Sequence, residues 1–394
     1  MGYSTPYIVL NIILLILSVA SFLSKRESTH KQIALLSMIV FVVFFCFRGY
    51  VQTDTINYFS LFDRLPSIFK GISRDPDYDT GFLVYMGIIK SLGFNYDKFI
   101  AISSVIDLIL LTILFRRYFS YKYYALYLYL FLIFTGIEYE FNLMRNIKAV
   151  LLFLLSIKYI YSREFGKFFI LNLIALSFHW TSVLFFPLYF ILHKEFSLRS
   201  LYILFFVGLL IYILVPYLLN PTLRLISEIV PNDRLAYKIN AYLKLSMFTI
   251  GKSFSLIDLA LMIWYILILV SYNKIKCLSP QTICFINLFV LYFLFSCMGS
   301  AMILFRQRVA VLFEPSCWLL FIWMIQSQRY NSKIILYSII IMYGMLLGYR
   351  RTRNDILYEY DNFLLNEKVI PMKERIQRHN EIVLKRKNIK SINP

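Results

Sequence analysis

Apolar segments long enough to cross a lipid bilayer recur along most of the chain, and this feature limits the fold more than any other. A transmembrane helix needs about 20 predominantly apolar residues, whereas a membrane barrel alternates apolar and polar residues along each strand. The chain shows long runs and little alternation, and it is 59% hydrophobic and only 16% charged, unlike a soluble domain. The sequence therefore predicts an all-α fold, a polytopic transmembrane helical bundle.

One apolar segment, 168–192, is interrupted in its middle. His179 and Pro187 break it, and basic residues flank both of its ends. Non-helical backbone at membrane depth is tolerated only against protein or a water-filled cavity. We interpret this segment as a broken or re-entrant helix pair, with one tilted span as the alternative, which gives about 11–12 spans in all. The other spans are predicted near 7–24, 33–47, 98–115, 122–137, 144–160, 201–219, 256–271, 281–298, 309–325 and 333–349.

Positive charge orients these spans. The chain carries 41 Lys and Arg against 22 Asp and Glu, a formal net charge of +19. With the basic loop from Lys25 to Lys31 in the cytoplasm, alternating spans bring the other basic linkers to the same side, as the positive-inside rule requires. Most of the excess charge is thereby explained, and no nucleic-acid partner is expected. Those linkers lie around Arg116, Arg163, Lys274 and Arg329.

The predicted spans form a single transmembrane domain over 1–349. Two long loops, 48–97 and 220–255, face outwards in this topology, and the first contains two short amphipathic pieces. A polar, basic tail over 350–394 follows, and its side of the membrane is left open. The first apolar stretch is interpreted as a span, because no basic residues precede it and no small-residue cleavage site follows it.

No cofactor or metal site is predicted. The five cysteines lie in or beside apolar runs without a C-x-x-C pair, so they are interpreted as small apolar side chains. The acidic stretch from Asp75 to Asp79 has the spacing of a D-x-D metal motif, but it falls in an outer loop, where nucleotide sugars are absent. The sequence also lacks the nucleotide-binding and zinc-hydrolase motifs.

Several ionisable residues lie inside or at the ends of apolar segments, where charge is costly and usually faces a bundle interior. Asp107 is in the middle of a predicted span, and pairing with Lys148 or Arg145 to hold helices together is one interpretation. Glu314 precedes Pro315, where it either caps a proline kink, pairs with a neighbouring arginine or contacts a substrate.

Four arginines fall at the outer ends of predicted spans, the side that the positive-inside rule depletes of cations. The planar guanidinium binds phosphate through two parallel hydrogen bonds and stays charged at any physiological pH. Several arginines that meet in one cavity would form a pyrophosphate site. These residues are Arg48, Arg145, Arg306 and Arg308.

Short stretches between residue 48 and about residue 325 resemble, in order, motifs of the EpsG/Wzy-type family of bacterial polysaccharide polymerases. The first runs from Arg48 through Asp54 to Tyr58, with Gln52 where the family usually has glycine. The others are Tyr78-Asp79-Thr80-Gly81-Phe82, Asn142-Leu143-Met144-Arg145-Asn146, Ser177-Phe178-His179-Trp180-Thr181-Ser182 and the late arginines Arg306 and Arg308.

This resemblance implies a metal-independent glycosyltransferase with a GT-C-like fold in the bacterial inner (cytoplasmic) membrane. Its substrates would be oligosaccharide repeat units on undecaprenyl pyrophosphate, joined into O-antigen or capsule at the face turned to the periplasm or exterior. Membrane lipid and a chain-length regulator protein are the further partners expected. The alternatives from the residues alone are a flippase or other transporter, an O-antigen ligase and an O-acyltransferase.

Within that resemblance the ionisable residues receive roles. His179 is the expected general base, since an imidazole near neutrality accepts a hydroxyl proton, and Asp54 or Asp79 is the alternative base. Arg48 either joins the pyrophosphate site or orients Asp54, and Tyr58 shares a face with Asp54 if this stretch is helical. The predicted substrate-binding residues are Arg48, Tyr58, Arg145, Lys148, Arg306, Arg308 and Glu314.

Overall fold

The chain is almost entirely helical in a computed structural model. The model describes residues 3–66, 68, 78–229, 255–300, 303–353, 355–365 and 370–381. Within these ranges β-structure is limited to one isolated antiparallel bridge, between Arg48 and Asn362. The all-α prediction is confirmed. The loop prediction over 220–255 falls largely outside the described residues, because the helix that enters it is followed only to Ile229.

The helices divide between two compact units. The first unit combines Met1–Tyr159, Glu164–Phe186 and Ile334–Pro394, and the second combines Ile160–Arg163 and Pro187–Lys333. The chain forms, in order, α1 (Thr5–Leu23), α2 (Glu27–Cys46), α3 (Gln52–Arg64), α4 (Thr80–Ser91), α5 (Tyr96–Tyr118), α6 (Tyr124–Phe131), α7 (Ile137–Asn142), α8 (Met144–Tyr161), α9 (Phe165–Phe178), α10 (Leu198–Ile229), α11 (Leu256–Val270), α12 (Tyr272–Lys276), α13 (Thr282–Met298), α14 (Ile303–Arg308), α15 (Pro315–Ser327) and α16 (Tyr330–Thr352).

Five of the described helices are long and apolar enough to cross a membrane. Two further helical segments bend by 45° at their junction, and together they make a sixth candidate span if they are counted as one. These segments are Phe305–Leu312 and Pro315–Ser327. The other predicted spans correspond to helices that are shorter or interrupted or, in α8, carry three charged side chains. The chain is therefore a multi-pass membrane protein with a helical bundle. The five helices are α1, α2, α5, α16 and the stretch Leu198–Leu218 of α10.

The predicted break in 168–192 is present and lies at His179. Helix α9 ends at Phe178, His179 takes an extended backbone conformation with φ −155° and ψ 120°, and a 3-10 helix follows over Trp180–Phe190. Pro187 lies inside that 3-10 helix. The change of backbone at His179 ends α9 and directs the backbone N–H of Trp180 to the carboxylate of Asp79.

A π-helix, Leu132–Gly136, joins α6 to α7. The π-turn adds one residue to the helical repeat and alters the i→i−4 hydrogen-bond ladder. The guanidinium of Arg351, in the last turn of α16, donates a hydrogen bond of 3.1 Å to the carbonyl oxygen of Phe134. This contact stabilises the irregular turn from outside the helix, and it ties the end of α16 to the π-helix.

The two amphipathic pieces of the predicted loop 48–97 are helices α3 and α4. We call them the α3–α4 lobe. Their apolar faces bury Tyr58, Phe62 and Phe82 against Tyr96 and Phe99 at the start of α5. Ring centroids of Phe62 and Phe99 lie 5.6 Å apart, one of several aromatic pairs in this cluster. The lobe is thus fixed to a long helix of the bundle by a rigid aromatic core.

The chain after α16 packs on the same end of the first unit as the loop between α2 and α3. Asp361 accepts a hydrogen bond of 2.8 Å from the backbone N–H of Gly49, and the backbone N–H of Phe363 donates to the carbonyl of Phe47 at 2.7 Å. Arg375 donates to the carboxylate of Asp361 at 2.8 Å. Residues 355–365, called the C-terminal strap below, are therefore an integral part of the first unit.

Candidate active site

Helix α3 places Asp54 and Tyr58 on one face, as the four-residue spacing predicts for a helix. The phenol of Tyr58 donates a hydrogen bond of 2.9 Å to Asp54 Oδ2. Tyr58 is buried, and burial is the main reason why its pKa is raised above the usual value; the negative charge of Asp54 raises it further, while Arg145 opposes both. Tyr58 is therefore a neutral phenol that acts as a donor to Asp54.

The turn into α3 has a strained residue. Gln52 begins the helix with φ 66°, in the left-handed region that non-glycine residues rarely adopt. This is the position where the family motif usually has glycine, so the unusual residue and the unusual backbone coincide. A glycine there would adopt this conformation without a Cβ penalty.

Arg145 connects this face to a second carboxylate. Its Nε donates to the hydroxyl of Tyr58 at 2.9 Å, and its Nη1 donates to Asp79 Oδ2 at 2.9 Å. The guanidinium also lies 5.3 Å from the ring centroid of Tyr78 and 5.9 Å from that of Phe82. The aromatic rings fix the plane of a cation that remains 18% exposed at its side chain.

Asp79 lies at the centre of the cluster. Besides Arg145, it accepts a hydrogen bond of 3.1 Å from the backbone N–H of Trp180 at Oδ1. The Nδ1 atom of His179 lies 3.5 Å from Asp79 Oδ2. The carboxylate thus contacts an arginine, an imidazole and the first N–H of the 3-10 helix, and it links the break after α9 to α8 and to the start of α4.

Close contact between α4 and α9 makes this arrangement possible. At Gly81 a Cβ atom would lie 2.2 Å from Ser177 Oγ and 2.7 Å from the backbone oxygen of Ser177. No larger residue fits there unless the helices separate. Glycine at this position therefore sets the distance between Asp79, two residues earlier, and His179, two residues after Ser177.

Arg48 is placed in the interior of the first unit. Its guanidinium donates to Glu140 Oε2 at 3.2 Å, to the backbone oxygen of Glu140 and to Ser104 Oγ at 3.1 Å. Arg48 is 1% exposed and also covers the ring of Phe141 at 4.9 Å. These contacts make Arg48 a link between the end of α2, helix α5 and helix α7.

Lys148 is buried as well. Its ammonium donates to Asp107 Oδ2 at 2.9 Å and to Ser103 Oγ at 2.7 Å. The pairing of Asp107 with Lys148, one of the interpretations drawn from the sequence, is therefore observed. This ion pair joins α5 to α8, one helical turn after Arg145 along α8.

The late arginines belong to the second unit. Arg306 donates to Asp258 Oδ1 at 2.8 Å, and Tyr212 donates to the other oxygen of that carboxylate at 3.2 Å. Arg308 is exposed. Glu314 immediately precedes α15, at the bend between the two helices, and is half-buried.

The first unit thus brings together five of the predicted residues: Asp54, Tyr58, Asp79, Arg145 and His179. Glu140, the partner of Arg48, and Asp258, the partner of Arg306, were not predicted. Asp258 had a local signal, since Ser255 and Asp258 form a capping box, which the S-x-x-D spacing indicates. Glu140 lies between two predicted spans, two residues after Glu138, and no motif distinguishes it in the sequence.

The remaining residues of the D-x-D stretch, Asp75 and Asp77, lie outside the described residues. In the described part of the chain, no group of three His, Cys, Asp or Glu side chains has the arrangement of a metal site. The five cysteines are all free thiols.

The sequence model of the EpsG family matches residues 7–363 of the chain. This range includes Asp54, Tyr58, Asp79, Arg145 and His179. No curated protein and no solved structure matches the chain.

Proposed function

The chain belongs to the EpsG family of polysaccharide polymerase-like membrane proteins, and on this premise we propose that it joins lipid-linked oligosaccharide repeat units into a surface polysaccharide. The substrates are repeat units on undecaprenyl pyrophosphate, at the outer face of the bacterial inner membrane. The product is an O-antigen or a capsule. The observation that carries the proposal is the meeting of Asp79, Arg145 and His179 from three distant stretches of the chain.

The proposed reaction is a glycosyl transfer. The bond between the anomeric carbon of the growing chain and its diphosphate oxygen breaks, and a bond forms from that carbon to a hydroxyl oxygen of the next repeat unit. The hydroxyl proton passes to a base on the protein, and undecaprenyl diphosphate leaves. The reaction therefore needs a base close to the hydroxyl and cations where negative charge develops on the leaving group.

We assign the base to His179. Asp79 already accepts hydrogen bonds from Arg145 and from the backbone of Trp180, so the imidazole is the better proton acceptor of the two. Asp79, 3.5 Å from Nδ1, would orient the ring so that Nε2 receives the proton, as carboxylates do for catalytic histidines. Asp54, which holds the phenol of Tyr58, remains the alternative base.

We assign Arg145 to the diphosphate. A guanidinium has five N–H donors, and the hydrogen bonds to Tyr58 and Asp79 use two of them. The remaining donors suit phosphate oxygens, while the paired carboxylate keeps the cation in place before the lipid binds. Arg306 and Arg308 of the second unit are likewise proposed to bind diphosphate, and Glu314 is proposed to contact the substrate.

Burial and ion pairs favour a positioning role for Arg48 and Lys148. Both side chains are almost completely buried and paired with a carboxylate. Leaving such a carboxylate without its partner costs about 3–5 kcal/mol, so neither cation is suited to leave its partner for a substrate. They hold α5, α7 and α8 in the arrangement that presents Arg145.

A strain that lacks the gene tests the proposed function. We expect its surface lipid to carry single repeat units, and the gene supplied in trans should restore a ladder of polymer. His179→Ala and Arg145→Glu should fail to restore the ladder at normal protein abundance in the membrane. Loss of all surface units would instead indicate flipping or ligation, and loss of acetyl groups alone would indicate an acyltransferase.

A further inference from the structure

We propose that Glu138 is a positioning residue for the catalytic face of α3 and that Tyr358 of the C-terminal strap holds it in place. The residues act through Asn142 and Thr53 on the turn that carries Asp54. The catalytic consequence rests on the proposed function, whereas the effect on the turn does not.

Both carboxylate oxygens of Glu138 accept a hydrogen bond from a neighbouring side chain. The hydroxyl of Tyr358 donates to Glu138 Oε2 at 2.7 Å, and Asn142 Nδ2 donates to Glu138 Oε1 at 2.8 Å. A carboxylate only accepts hydrogen bonds, so it orients the amide of Asn142 with the nitrogen towards Glu138. The amide oxygen of Asn142 therefore faces away from Glu138.

That amide oxygen supports the turn into α3. The hydroxyl of Thr53 donates to Asn142 Oδ1 at 2.8 Å. Thr53 lies between Gln52, with its φ of 66°, and Asp54. A strained backbone persists only where its surroundings hold it. The chain of three hydrogen bonds from Tyr358 to Thr53 supplies such a hold directly beside Asp54.

Tyr358, at the other end of these hydrogen bonds, is held in place by a residue of α1. Tyr7, buried in α1, donates its hydroxyl to the backbone oxygen of Tyr358 at 2.9 Å. Their rings meet edge to face with centroids 6.0 Å apart. Tyr358 therefore has a fixed position, and Glu138 receives its hydrogen bond from a rigid donor.

A reciprocal swap of two residues tests this network. Asn142→Asp alone places two carboxylates against each other, and Glu138→Gln alone leaves one amide in the wrong orientation. In the double variant the new glutamine amide donates to the new aspartate, which still accepts from Thr53, and the glutamine oxygen still accepts from Tyr358. Among the three variants, only the double variant satisfies all three hydrogen bonds that the wild-type residues form.

Two readouts on the purified protein keep the inference separate from the proposed function. Hydrogen–deuterium exchange over residues 51–58 reports the turn, and polymer formed per molecule from lipid-linked repeat units reports the reaction. For Asn142→Asp we expect faster exchange in this segment and a turnover that is between about 10-fold and 100-fold lower, with both restored in the double variant. The control Tyr360→Phe, which removes a strap hydroxyl that donates to the backbone of Phe44 and accepts from Asn362, should change neither readout.

The outcomes are distinct. Unchanged exchange over 51–58 in Asn142→Asp and Tyr358→Phe would overturn the inference, and so would a double variant no better than its worse parent. A uniform fall in melting temperature, with normal turnover per folded molecule, would reduce the network to a structural role and also overturn it. Restored exchange in the double variant, together with a wild-type protein that forms no polymer, would support the positioning and refute the proposed reaction.

Discussion

His179 Nδ1 lies 3.5 Å from the same oxygen of Asp79 that accepts a hydrogen bond from Arg145. One carboxylate oxygen therefore contacts both the proposed base and the proposed phosphate-binding cation. Asp79 is 13% exposed at its side chain, so the cluster borders the surface of the first unit. A group in this position controls the orientation of two functional side chains at once.

Asp79→Asn should abolish polymer formation, with a loss of at least about 100-fold. The asparagine keeps the size of the side chain, but its amide nitrogen meets the guanidinium of Arg145 or the N–H of Trp180. Polymer length and amount on the cell surface measure the effect. Asp97→Asn, which removes a carboxylate that binds Tyr50 at the start of α5, is the matched control and should retain most of the polymer; equal losses in both variants would contradict the central role of Asp79.

Gly81→Ala should destabilise the protein by about 1–3 kcal/mol, the usual cost of overpacking, and should lower activity more than stability explains. The added Cβ would lie 2.2 Å from Ser177 Oγ, so α4 and α9 must separate and carry Asp79 away from His179. Gly87→Ala on the same helix is the control, since its Cβ would meet nothing closer than 3.9 Å. Melting temperature and polymer yield are measured for both variants. Similar values for Gly81→Ala and Gly87→Ala would contradict the importance of the close contact between Gly81 and Ser177.

Gln52→Gly should relieve backbone strain of about 1–2 kcal/mol, partly offset by the loss of a buried side chain. Gln52→Val should be clearly destabilising, because a β-branched residue tolerates a φ of 66° poorly. Arg163→Gly relieves a similar conformation, at φ 60°, away from the α3–α4 lobe. Melting temperatures compare the three variants, and a Gln52→Val protein as stable as the wild type would show that the turn is not strained.

Lys148→Met should destabilise the protein by about 3–5 kcal/mol, because it leaves the carboxylate of Asp107 buried without its cation. Adding Asp107→Leu should recover much of that stability, since a buried pair is often replaceable by apolar residues. Melting temperature and membrane abundance are the measurements. A double variant that is stable and makes polymer would show that Lys148 has a structural role in the helical bundle. A double variant that is stable but inactive would show that Lys148 contacts the substrate.

Arg308→Gln should lower polymer formation without lowering stability, because Arg308 is exposed in the second unit. Arg306→Gln should lower both, since it leaves the buried carboxylate of Asp258 without its ion pair. The comparison uses melting temperature and polymer yield at equal protein amounts. Normal polymer in Arg308→Gln would remove this arginine from the proposed diphosphate site.

Much of the fold follows from local pattern. The apolar runs predicted helices such as α1, α2 and α5, and the polar interruption at His179 predicted the break after α9. The spacing of Asp54 and Tyr58 predicted their shared face, because a helix brings residues four apart together. Gln52 was noticeable in the sequence only through the resemblance, and the structure shows the backbone reason for it.

Apart from the pair of Asp107 and Lys148, the contacts between distant polar side chains did not follow from the sequence. Arg48 binds Glu140, Arg306 binds Asp258, and Tyr358 binds Glu138. Such contacts depend on which helices become neighbours, and no local periodicity encodes this. The outward-facing arginines were predicted as one group, whereas the structure gives Arg48 an interior partner and divides the others between two units.

The first unit is assembled from both ends of the chain, and this has a consequence for biosynthesis. Gly49 and Phe47 form backbone hydrogen bonds with Asp361 and Phe363. Asp361 and Phe363 leave the ribosome only after the whole second unit has been translated. The loop before α3 must therefore stay incompletely bonded while the nascent chain is inserted into the membrane. The backbone hydrogen bonds of this loop therefore form only after the C-terminal strap has been synthesised, and a chain interrupted before the strap is expected to lack them.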